Sequence, residues 1–209
     1  MIRTIVFDFD GVLIDSNALK RDAWFLLFPG TIMSASRLEA ILDEIKDTRY
    51  DILERIAIEL GVVPEKRDAW VQRYADLYGA TVERHIGKCG VSQEVRLVLE
   101  RLSGRLPLFI NSRTPEDALR RTVEMLKIQD WFHGVYGAPR SKVENMRRIM
   151  DQIDTTADGI LFVGDDQADA VAAGEFGCGF VGLKTSANQW GTHSLFSVVD
   201  EVSQIERMI

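Results

Sequence analysis

Four short apolar segments, rich in β-branched and aromatic residues, alternate with stretches whose apolar residues fall at helical spacing. The segments cover residues 4–9, 106–110, 160–163 and 179–183, and a weaker fifth covers 134–136. Helical spacing is found at 115–127, 142–153 and 168–176. Strands that alternate with helices predict a parallel sheet with helices on both faces. We therefore expect a doubly wound α/β fold, whose ligands bind beyond the carboxyl ends of the strands.

The interval between the first two predicted strands breaks this alternation. It shows helical spacing in four stretches, 17–28, 35–46, 50–60 and 65–83. One helix is enough to connect two parallel strands, so the others must form an inserted module. We predict an α/β core domain from residues 1–16 and 87–209 and an all-helical domain from residues 17–86. The aromatic residues at helical spacing are expected in the core of the helical domain; they are Trp24, Phe25, Trp70 and Tyr74.

Composition narrows the class of protein without specifying a reaction. The 209 residues are 46% apolar and 27% charged, as in ordinary soluble globular proteins. The net charge of −7 disfavours a nucleic-acid partner but allows a small phosphate substrate, because a bound metal ion can reverse the local field. No apolar run approaches the ~18 residues that span a bilayer, and the chain opens on a strand pattern rather than a signal peptide. Cys89 and Cys178 suggest no disulfide framework or zinc cluster, so we expect a cytoplasmic protein.

Two carboxylates, Asp8 and Asp10, end the first predicted strand in the sequence TIVFDFDG. Side chains two residues apart on a strand point to the same side. Neighbouring carboxylates are costly unless a metal ion or a shared proton compensates them. Such a pair can divide the work of group transfer, with one carboxylate as nucleophile and the other as proton donor. The same spacing also suits two aspartates that cap a turn.

Ser112, Lys142 and an acidic cluster follow at later strand ends. The Ser112 hydroxyl can hold a phosphoryl oxygen, although serines after strands also form turns. Lys142 opens a predicted helix, where the helix dipole disfavours a cation; it has either a separate role or an ordinary solvated position. Beyond the ILFV strand, Asp165, Asp166 and Asp169 lie within GDDQAD. Carboxylates at the exit of a buried strand are ligands of the type that Mg²⁺ prefers.

Taken in order, these motifs resemble those of the haloacid dehalogenase-like hydrolase superfamily, in the subgroup related to phosphoglycolate phosphatase. The first motif is the most specific, because residues 8–16, DFDGVLIDS, resemble it almost letter for letter. Ser112 matches the second motif, Lys142 the third, and Gly164-Asp165 with Asp169 the fourth. The resemblance covers nearly the whole chain. It implies that the helical insertion is the cap that this family places between its first two motifs.

The resemblance also implies a role for each motif residue. Asp8 would attack phosphorus and form an aspartyl-phosphate, while Asp10 would protonate the leaving alcohol and then activate water. Ser112 and Lys142 would hold phosphoryl oxygens, and Lys142 would offset the charge of Asp8. Mg²⁺ would be bound by Asp8, the backbone carbonyl of Asp10, and Asp165. The implied activity is hydrolysis of a small phosphorylated metabolite, a reaction that depends on positioning and charge neutralisation.

Other residues are candidates for binding the metal ion, orienting its ligands or contacting the substrate. Asp166 is an alternative metal ligand, and Asp169 is expected to orient a neighbouring group rather than bind the metal. A cap closing over the pocket would contact and select the leaving group. Arg113, next to Ser112, is a further candidate for this contact. The cap candidates are Asn17, Lys20, Arg21, Arg49 and Tyr50. We hypothesise that Arg49 faces the pocket, since arginine binds a second anionic group bidentately; a solvated position fits the sequence equally well.

Alternative reactions fit the motifs less well. A dehalogenase does not need the acid that Asp10 supplies, and a phosphonatase needs a cap lysine, for which neither Lys20 nor Lys46 shows a sign of activation. A sugar phosphomutase would use the same Asp8 and Asp10, with a sugar hydroxyl as acceptor. An inactive descendant serving as a binding module would not need the complete set of motif residues. The sequence specifies neither the substrate nor the oligomeric state.

Overall fold

The computed structural model describes residues 1–45, 48–185, 188, 190 and 195–209, except the side chain of Cys89. Lys46, considered above as a cap lysine, and the end of the helix predicted at 35–46 lie outside these residues. The chain divides into two compact units, one made of Met1–Asn17 and Cys89–Ile209 and the other of Ala18–Lys88. We call the first the α/β unit and the second the helical unit.

Within the described residues, a six-stranded parallel sheet forms the centre of the α/β unit. Its strands are β1 (Thr4–Phe7), β2 (Leu108–Pro115), β3 (Gly134–Ala138), β4 (Ile160–Gly164), β5 (Gly179–Leu183) and β6 (Ser197–Val199). They are ordered β3-β2-β1-β4-β5-β6. Because β1 lies between β2 and β4, the carboxyl ends of these strands meet where the strand order reverses, the usual ligand site of such sheets. The predicted doubly wound α/β fold is confirmed.

The helices follow the apolar periodicity of the sequence. The helical unit contains α1 (Asn17–Leu27), α2 (Ala35–Glu44), α3 (Arg49–Glu59) and α4 (Pro64–Cys89). The α/β unit contains α5 (Gln93–Ser103), α6 (Glu116–Met125), α7 (Lys142–Gln152) and α8 (Gln167–Phe176). None of the helices in the described part of the chain combines the length and the apolar character needed to cross a membrane.

Both faces of the sheet are buried, as expected for strands without polar alternation. On one face, Val6, Phe109 and Phe162 pack in a single cluster with residues of α7 and α8. The alternate residues Ile5 and Phe7 point to the opposite face and are fully buried as well. Each such side chain contributes about 1.5–3 kcal/mol through burial. This packing holds the carboxyl ends of the central strands in a rigid framework.

Stacked aromatic rings form much of the core of the helical unit. The ring centroids of Trp24 and Tyr78 are 4.2 Å apart, and those of Trp70 and Tyr74 are 4.0 Å apart. Phe28 connects these pairs, with its centroid 5.3 Å from that of Tyr74. Trp24, Trp70 and Tyr74 therefore contribute to packing, as expected from their helical spacing.

The strands differ from the prediction at β1, β2 and β6. β1 ends at Phe7 rather than at residue 9, so that Asp8 and Asp10 follow the strand in the loop. β2 begins and ends later than residues 106–110, because the chain keeps its strand conformation through Asn111, Ser112 and Arg113. Polar residues are normally a sign of a loop, but here Asn111 and Ser112 are buried. β6, with three residues, is too short to produce a recognisable alternation.

Candidate active site

The motif residues meet at the carboxyl ends of β1, β2 and β4. Asp8 directly follows β1, Ser112 lies in β2, Asp165 directly follows β4, and Lys142 is the first residue of α7. All four side chains are buried. The backbone N–H of Asp8 donates to the carbonyl of Val163 at 2.8 Å, which extends the β1–β4 pairing beyond the end of β1. Sheet pairing thus sets the position of Asp8 relative to β4.

Gly11 allows the loop after β1 to approach the end of β4 closely. Its φ of +80° is one that glycine adopts without strain. A Cβ at this position would overlap the carboxylate of Asp165. The Gly11 N–H donates to the carbonyl of Ile14 at 2.8 Å, which tightens the loop. The glycine that follows Asp10 therefore brings two acidic loops into one site.

Three buried carboxylates form a cluster with the chemistry of a divalent metal site. Asp8, Asp165 and Asp169 each offer one carboxylate oxygen, and these oxygens lie within 4.8 Å of one another. Oδ1 of Asp8 is buried and has no hydrogen-bond partner of normal geometry among the described residues. Lys142 lies near this oxygen, but one ammonium group does not balance three buried carboxylates, and a bound divalent cation would compensate the remaining charge. The cluster therefore fits a divalent metal ion that prefers oxygen ligands.

Lys142 is the cation that faces this cluster. Its Nζ lies 3.0 Å from Oδ1 of Asp8 and also pairs with Oδ1 of Asp169. The face of the Phe162 ring lies beneath it, 5.5 Å from Nζ to the ring centroid. A capping box made by Ser141 and Glu144 begins α7 at this lysine. The ammonium group of Lys142 is thus held in a fixed position, in contact with Asp8.

Burial controls the acidity of the cluster. Desolvation raises the pKa of Asp8 to about 7, in spite of the opposing effect of Lys142; the nearby Asp169 and Asp10 add to the increase. Desolvation likewise raises the pKa of Asp165 to about 6, with a further contribution from the charge of Asp8. Burial by itself lowers the pKa of Lys142, but Asp8 and Asp169 raise it above its usual value. Without a metal ion, this site therefore holds an excess of negative charge that favours protonation of its carboxylates.

Asp10 has surroundings that differ from those of Asp8. It is half-buried, and hydroxyl groups hold both of its carboxylate oxygens. Ser16 Oγ donates to Oδ1 at 2.5 Å, and Thr114 Oγ1 donates to Oδ2 at 3.0 Å. The two aspartates of the first motif are therefore separated chemically: Asp8 contacts a cation and Asp10 contacts hydroxyls. Thr114 was not among the residues predicted for the site, because a threonine two positions after Ser112 has no distinctive sequence signal.

Asn17, a candidate substrate contact, hydrogen-bonds to Asp165. Its Nδ2 donates to Oδ2 of Asp165 at 3.2 Å. The carbonyl of Asp165 accepts a hydrogen bond from Nδ2 of Asn188 at 2.8 Å. Asparagine amides thus hold both the side chain and the backbone of this residue. Such partners orient metal ligands.

Asp166 and Asp169 have separate structural partners. Asp166 caps α8 by accepting from the N–H of Ala168, and its Oδ2 lies 3.0 Å from the guanidinium of Arg113. Asp169 accepts from the Asp166 N–H at 3.2 Å through Oδ2, while its Oδ1 pairs with Lys142. The Asp166 carboxylate is thus engaged at the surface, outside the three-carboxylate cluster, and Asp169 positions Lys142.

Ser112 lies beside a buried amide network that sequence reasoning missed. Ser112 Oγ accepts from the N–H of Thr114 at 3.2 Å, which leaves the hydroxyl able to donate to another group. Next to it, Asn111 Nδ2 donates to the carbonyl of Lys142 at 2.9 Å, and Asn145 Nδ2 donates to Oδ1 of Asn111 at 3.1 Å. This network ties β2 to the start of α7, and hence Ser112 to Lys142. Two asparagines separated by a long stretch of sequence gave no signal of it.

The candidates from the helical domain lie in the helical unit, apart from Asn17. The guanidinium of Arg49 lies over the Tyr78 ring, 5.7 Å from its centroid. Arg21 pairs with Glu39 and Asp43 on the surface of the same unit, with N–O distances of 3.7 and 3.8 Å. Lys20 accepts a hydrogen bond at its carbonyl from the Tyr78 hydroxyl. Tyr50 is exposed.

Comparison with known proteins identifies the family. The sequence model for haloacid dehalogenase-like hydrolases matches residues 5–183, and the chain belongs to this family of enzymes. Among curated proteins, none matches the chain significantly.

Several solved structures share the fold over nearly their full length. A β-phosphoglucomutase from Clostridium difficile has a TM-score of 0.72 and 20% identity, covering 100% of this chain and 96% of its own. A predicted phosphoglycolate phosphatase from Haemophilus somnus has a TM-score of 0.75 and 18% identity, covering 99% and 97%. A 2-haloacid dehalogenase from Pseudomonas syringae has a TM-score of 0.64 and 18% identity, also covering 99% and 97%. At these identities the similarity defines the fold, and the reaction must be argued from the site.

Proposed function

We propose that the protein is a Mg²⁺-dependent phosphatase that hydrolyses a small phosphomonoester through a phosphorylated Asp8. The observation that carries this proposal is the surroundings of Asp8. Its buried carboxylate lies 3.0 Å from Lys142 and belongs to the three-carboxylate cluster with Asp165 and Asp169. A carboxylate with these neighbours can attack an electrophile whose negative charge the cations neutralise.

The residues that would hold the metal ion are Asp8, Asp165 and the backbone carbonyl of Asp10. When bound, Mg²⁺ would neutralise charge on the phosphoryl oxygens and on the cluster itself. Asp169 would hold Lys142, and Asp166 would act as a helix cap. The three buried carboxylates that share one lysine and the raised pKa values of Asp8 and Asp165 support a cation at this position.

In the first half of the reaction, a carboxylate oxygen of Asp8 attacks phosphorus. The bond between phosphorus and the ester oxygen breaks, and its electron pair stays with that oxygen. Asp10 gives its proton to the departing oxygen, which leaves as an alcohol. Ser112 and Lys142 hold the phosphoryl oxygens while this happens, and Lys142 balances the charge that moves through the transition state.

In the second half, water attacks the phosphorus of the aspartyl-phosphate. Asp10, now a carboxylate, takes a proton from that water. The bond between phosphorus and the Asp8 oxygen breaks, which restores the Asp8 carboxylate and releases inorganic phosphate. Asp10 therefore serves as acid and then as base, and ends the cycle protonated again.

Substrate selection is proposed to reside in the helical domain, residues 17–86, acting as a cap that excludes water from the site. Arg49, now stacked on Tyr78, and Arg113, paired at the surface with Asp166, are the proposed contacts for a further anionic group. Both are arginines with weak or partly exposed partners, so a substrate anion can compete for them. The substrate class is a small phosphorylated metabolite in the cytoplasm, and neither nucleic acid nor membrane is an expected partner.

Hydrolysis of p-nitrophenyl phosphate tests the proposal. Activity is expected with Mg²⁺, and it should be lost with EDTA or in Asp8→Asn. Asp151→Asn, which changes an exposed aspartate of α7, should be fully active and serves as the matched control. Absence of turnover with this ester and with a panel of natural phosphomonoesters would contradict the proposal. A phosphomutase would use the same Asp8 and Asp10; transfer of the phosphoryl group to a sugar without release of phosphate would identify it.

A further inference from the structure

The strand β2 is irregular where it passes the site. Its pairing with β3 shifts register between Asn111 and Pro115. Gly137 of β3 lies against this stretch so closely that a Cβ there would overlap the carbonyl oxygen of Thr114 and the backbone of Glu116. Irregularities of this kind redirect a side chain and are frequent next to active sites. The side chain at issue is that of Thr114.

Thr114 contacts two groups that the proposed reaction uses. Its N–H donates to Ser112 Oγ at 3.2 Å, and its hydroxyl donates to Oδ2 of Asp10 at 3.0 Å. The first contact occupies an acceptor site of Ser112, and its hydroxyl proton remains for a phosphoryl oxygen. The second contact joins β2 to the carboxylate that would donate the proton. One residue thus connects the phosphoryl-binding hydroxyl to the acid.

The second contact acts together with that of Ser16 on the same carboxylate. Ser16, which is fully buried, holds Oδ1 of Asp10 at 2.5 Å, while Thr114 holds Oδ2. Two hydroxyls on the two oxygens orient the plane of the carboxyl group. A hydroxyl donates one hydrogen bond and accepts others. The Thr114 contact can therefore persist whether Asp10 is a carboxylate or a carboxylic acid.

We propose that Thr114 is a positioning residue that holds Asp10 in place for proton transfer to the leaving oxygen. This inference rests on the proposed function. A purely structural Thr114 would support the shape of β2 and would affect all substrates alike. A positioning Thr114 would matter most when the leaving oxygen needs a proton in order to depart, because acid catalysis contributes little to a good leaving group.

Two aryl esters of nearly the same shape make this distinction. The phenol released from phenyl phosphate has a pKa of about 10, like the tyrosine side chain, whereas p-nitrophenol is far more acidic and leaves readily without a proton. The measurement is kcat/KM, which covers the steps through cleavage of the ester bond. Thr114→Val should lower kcat/KM about tenfold for phenyl phosphate and less than about threefold for the nitrophenyl ester.

Two variants control for effects on packing. Thr114→Ser keeps the hydroxyl, so the ratio of kcat/KM for phenyl phosphate to kcat/KM for the nitrophenyl ester should equal that of the wild type. Thr122→Val removes a comparable buried hydroxyl, which donates to the Ala118 carbonyl inside α6, and should leave the ratio unchanged. Thermal unfolding of each variant establishes that it is folded before the kinetics are compared.

The outcomes separate this inference from the proposed function. A positioning role is supported if Thr114→Val loses more kcat/KM for phenyl phosphate than for the nitrophenyl ester and Thr114→Ser restores the wild-type ratio. An equal loss on both esters, or no loss, in an active enzyme overturns the role of Thr114 and leaves the phosphatase proposal intact. A wild type that hydrolyses neither ester counts against the proposed function, and the inference fails with it.

Discussion

Nζ of Lys142 lies 3.0 Å from Oδ1 of Asp8, and both side chains are buried. Lys142 also pairs with Asp169, so one cation is shared by two carboxylates. Such an arrangement is stable only while all partners are present, because removal of one leaves uncompensated charge in a desolvated site. The pair therefore connects stability with the chemistry proposed for Asp8.

Replacement of Lys142 tests this connection. Lys142→Met should lower the free energy of unfolding by about 3 kcal/mol, because Asp8 and Asp169 lose their shared cation. It should also abolish phosphatase activity. Lys184→Met breaks an exposed pair with Asp200 and should cost less than about 1 kcal/mol. Urea unfolding measures the loss of stability in both variants. Equal losses would show that the buried ion pair contributes no more to stability than the exposed one.

The raised pKa of Asp8 predicts a dependence of stability on pH. The folded protein holds the Asp8 proton up to a pKa of about 7, whereas the carboxyl group of the unfolded chain loses it near 3.8. Between these values the folded state binds more protons, so the contribution of Asp8 is fully present below about pH 4 and is lost as the pH rises towards 7. In EDTA, the unfolding free energy of the wild type minus that of Asp8→Asn should therefore decrease over this range, by at most about 1.4 kcal/mol per pH unit.

Magnesium should change the sign of this dependence. Metal binding requires the carboxylates to be ionised, so bound Mg²⁺ stabilises the folded protein more as the pH rises. With excess Mg²⁺, the difference between wild type and Asp8→Asn should grow from pH 5 to pH 7. A difference that is the same with EDTA and with Mg²⁺ would contradict a metal site at Asp8.

Gly11 should tolerate no side chain. Gly11→Ala places a methyl group on the Asp165 carboxylate and also imposes strain at a φ of +80°. Gly61→Ala is the matched control, because Gly61 has a φ of +70° but open space around the added Cβ. Both variants should lose about 1 kcal/mol of stability from backbone strain. Gly11→Ala should lose more than this, and should also lose Mg²⁺ affinity, because its Cβ overlaps the Asp165 carboxylate. Calorimetric titration with Mg²⁺ would count against this steric role if both variants bound as tightly as the wild type.

Asn17 should act through Asp165. Its hydrogen bond lowers the pKa of Asp165 and so opposes the increase caused by burial. Asn17→Ala should therefore weaken Mg²⁺ binding, about tenfold at neutral pH and more at pH 6, where a proton competes with the metal. Asn17→Asp would replace the amide donor with a carboxylate, which cannot donate to Asp165 and repels its charge. Unchanged affinity of Asn17→Ala at both pH values would show that the contact is not needed to orient Asp165.

Much of the fold could be predicted because its signals are local. Apolar strands such as TIVF and ILFV have no polar alternation, and this alone indicates burial on both faces. The site could be predicted for a related reason. Asp8 and Asp165 directly follow strands of a parallel sheet and Lys142 begins a helix, and the ends of such elements converge. The dense acids of DFDG and GDDQAD marked two of those ends.

The missed features depend on distant parts of the chain. The strand conformation of Asn111 to Thr114 depends on the flanking pairs that Asn111 and Pro115 make with β3, and no local pattern distinguishes this stretch from a polar loop. Thr114 and Asn145 are ordinary residues whose contacts are determined by how β2 meets the first-motif loop and α7. Asn17 was predicted as a candidate substrate contact because it directly follows the first motif, and its hydrogen bond to Asp165 is a further role that the sequence did not indicate.

Detection of the phosphorylated enzyme tests the central claim most directly. Asp10→Asn removes the base that would activate water, so with p-nitrophenyl phosphate and Mg²⁺ the intermediate should accumulate. After an acid quench and proteolysis, mass spectrometry should find one phosphoryl group on the peptide that contains Asp8, and none in Asp8→Asn. A phosphoryl group on Ser112 or on any other residue, or turnover without a phosphorylated enzyme, would contradict Asp8 as the nucleophile.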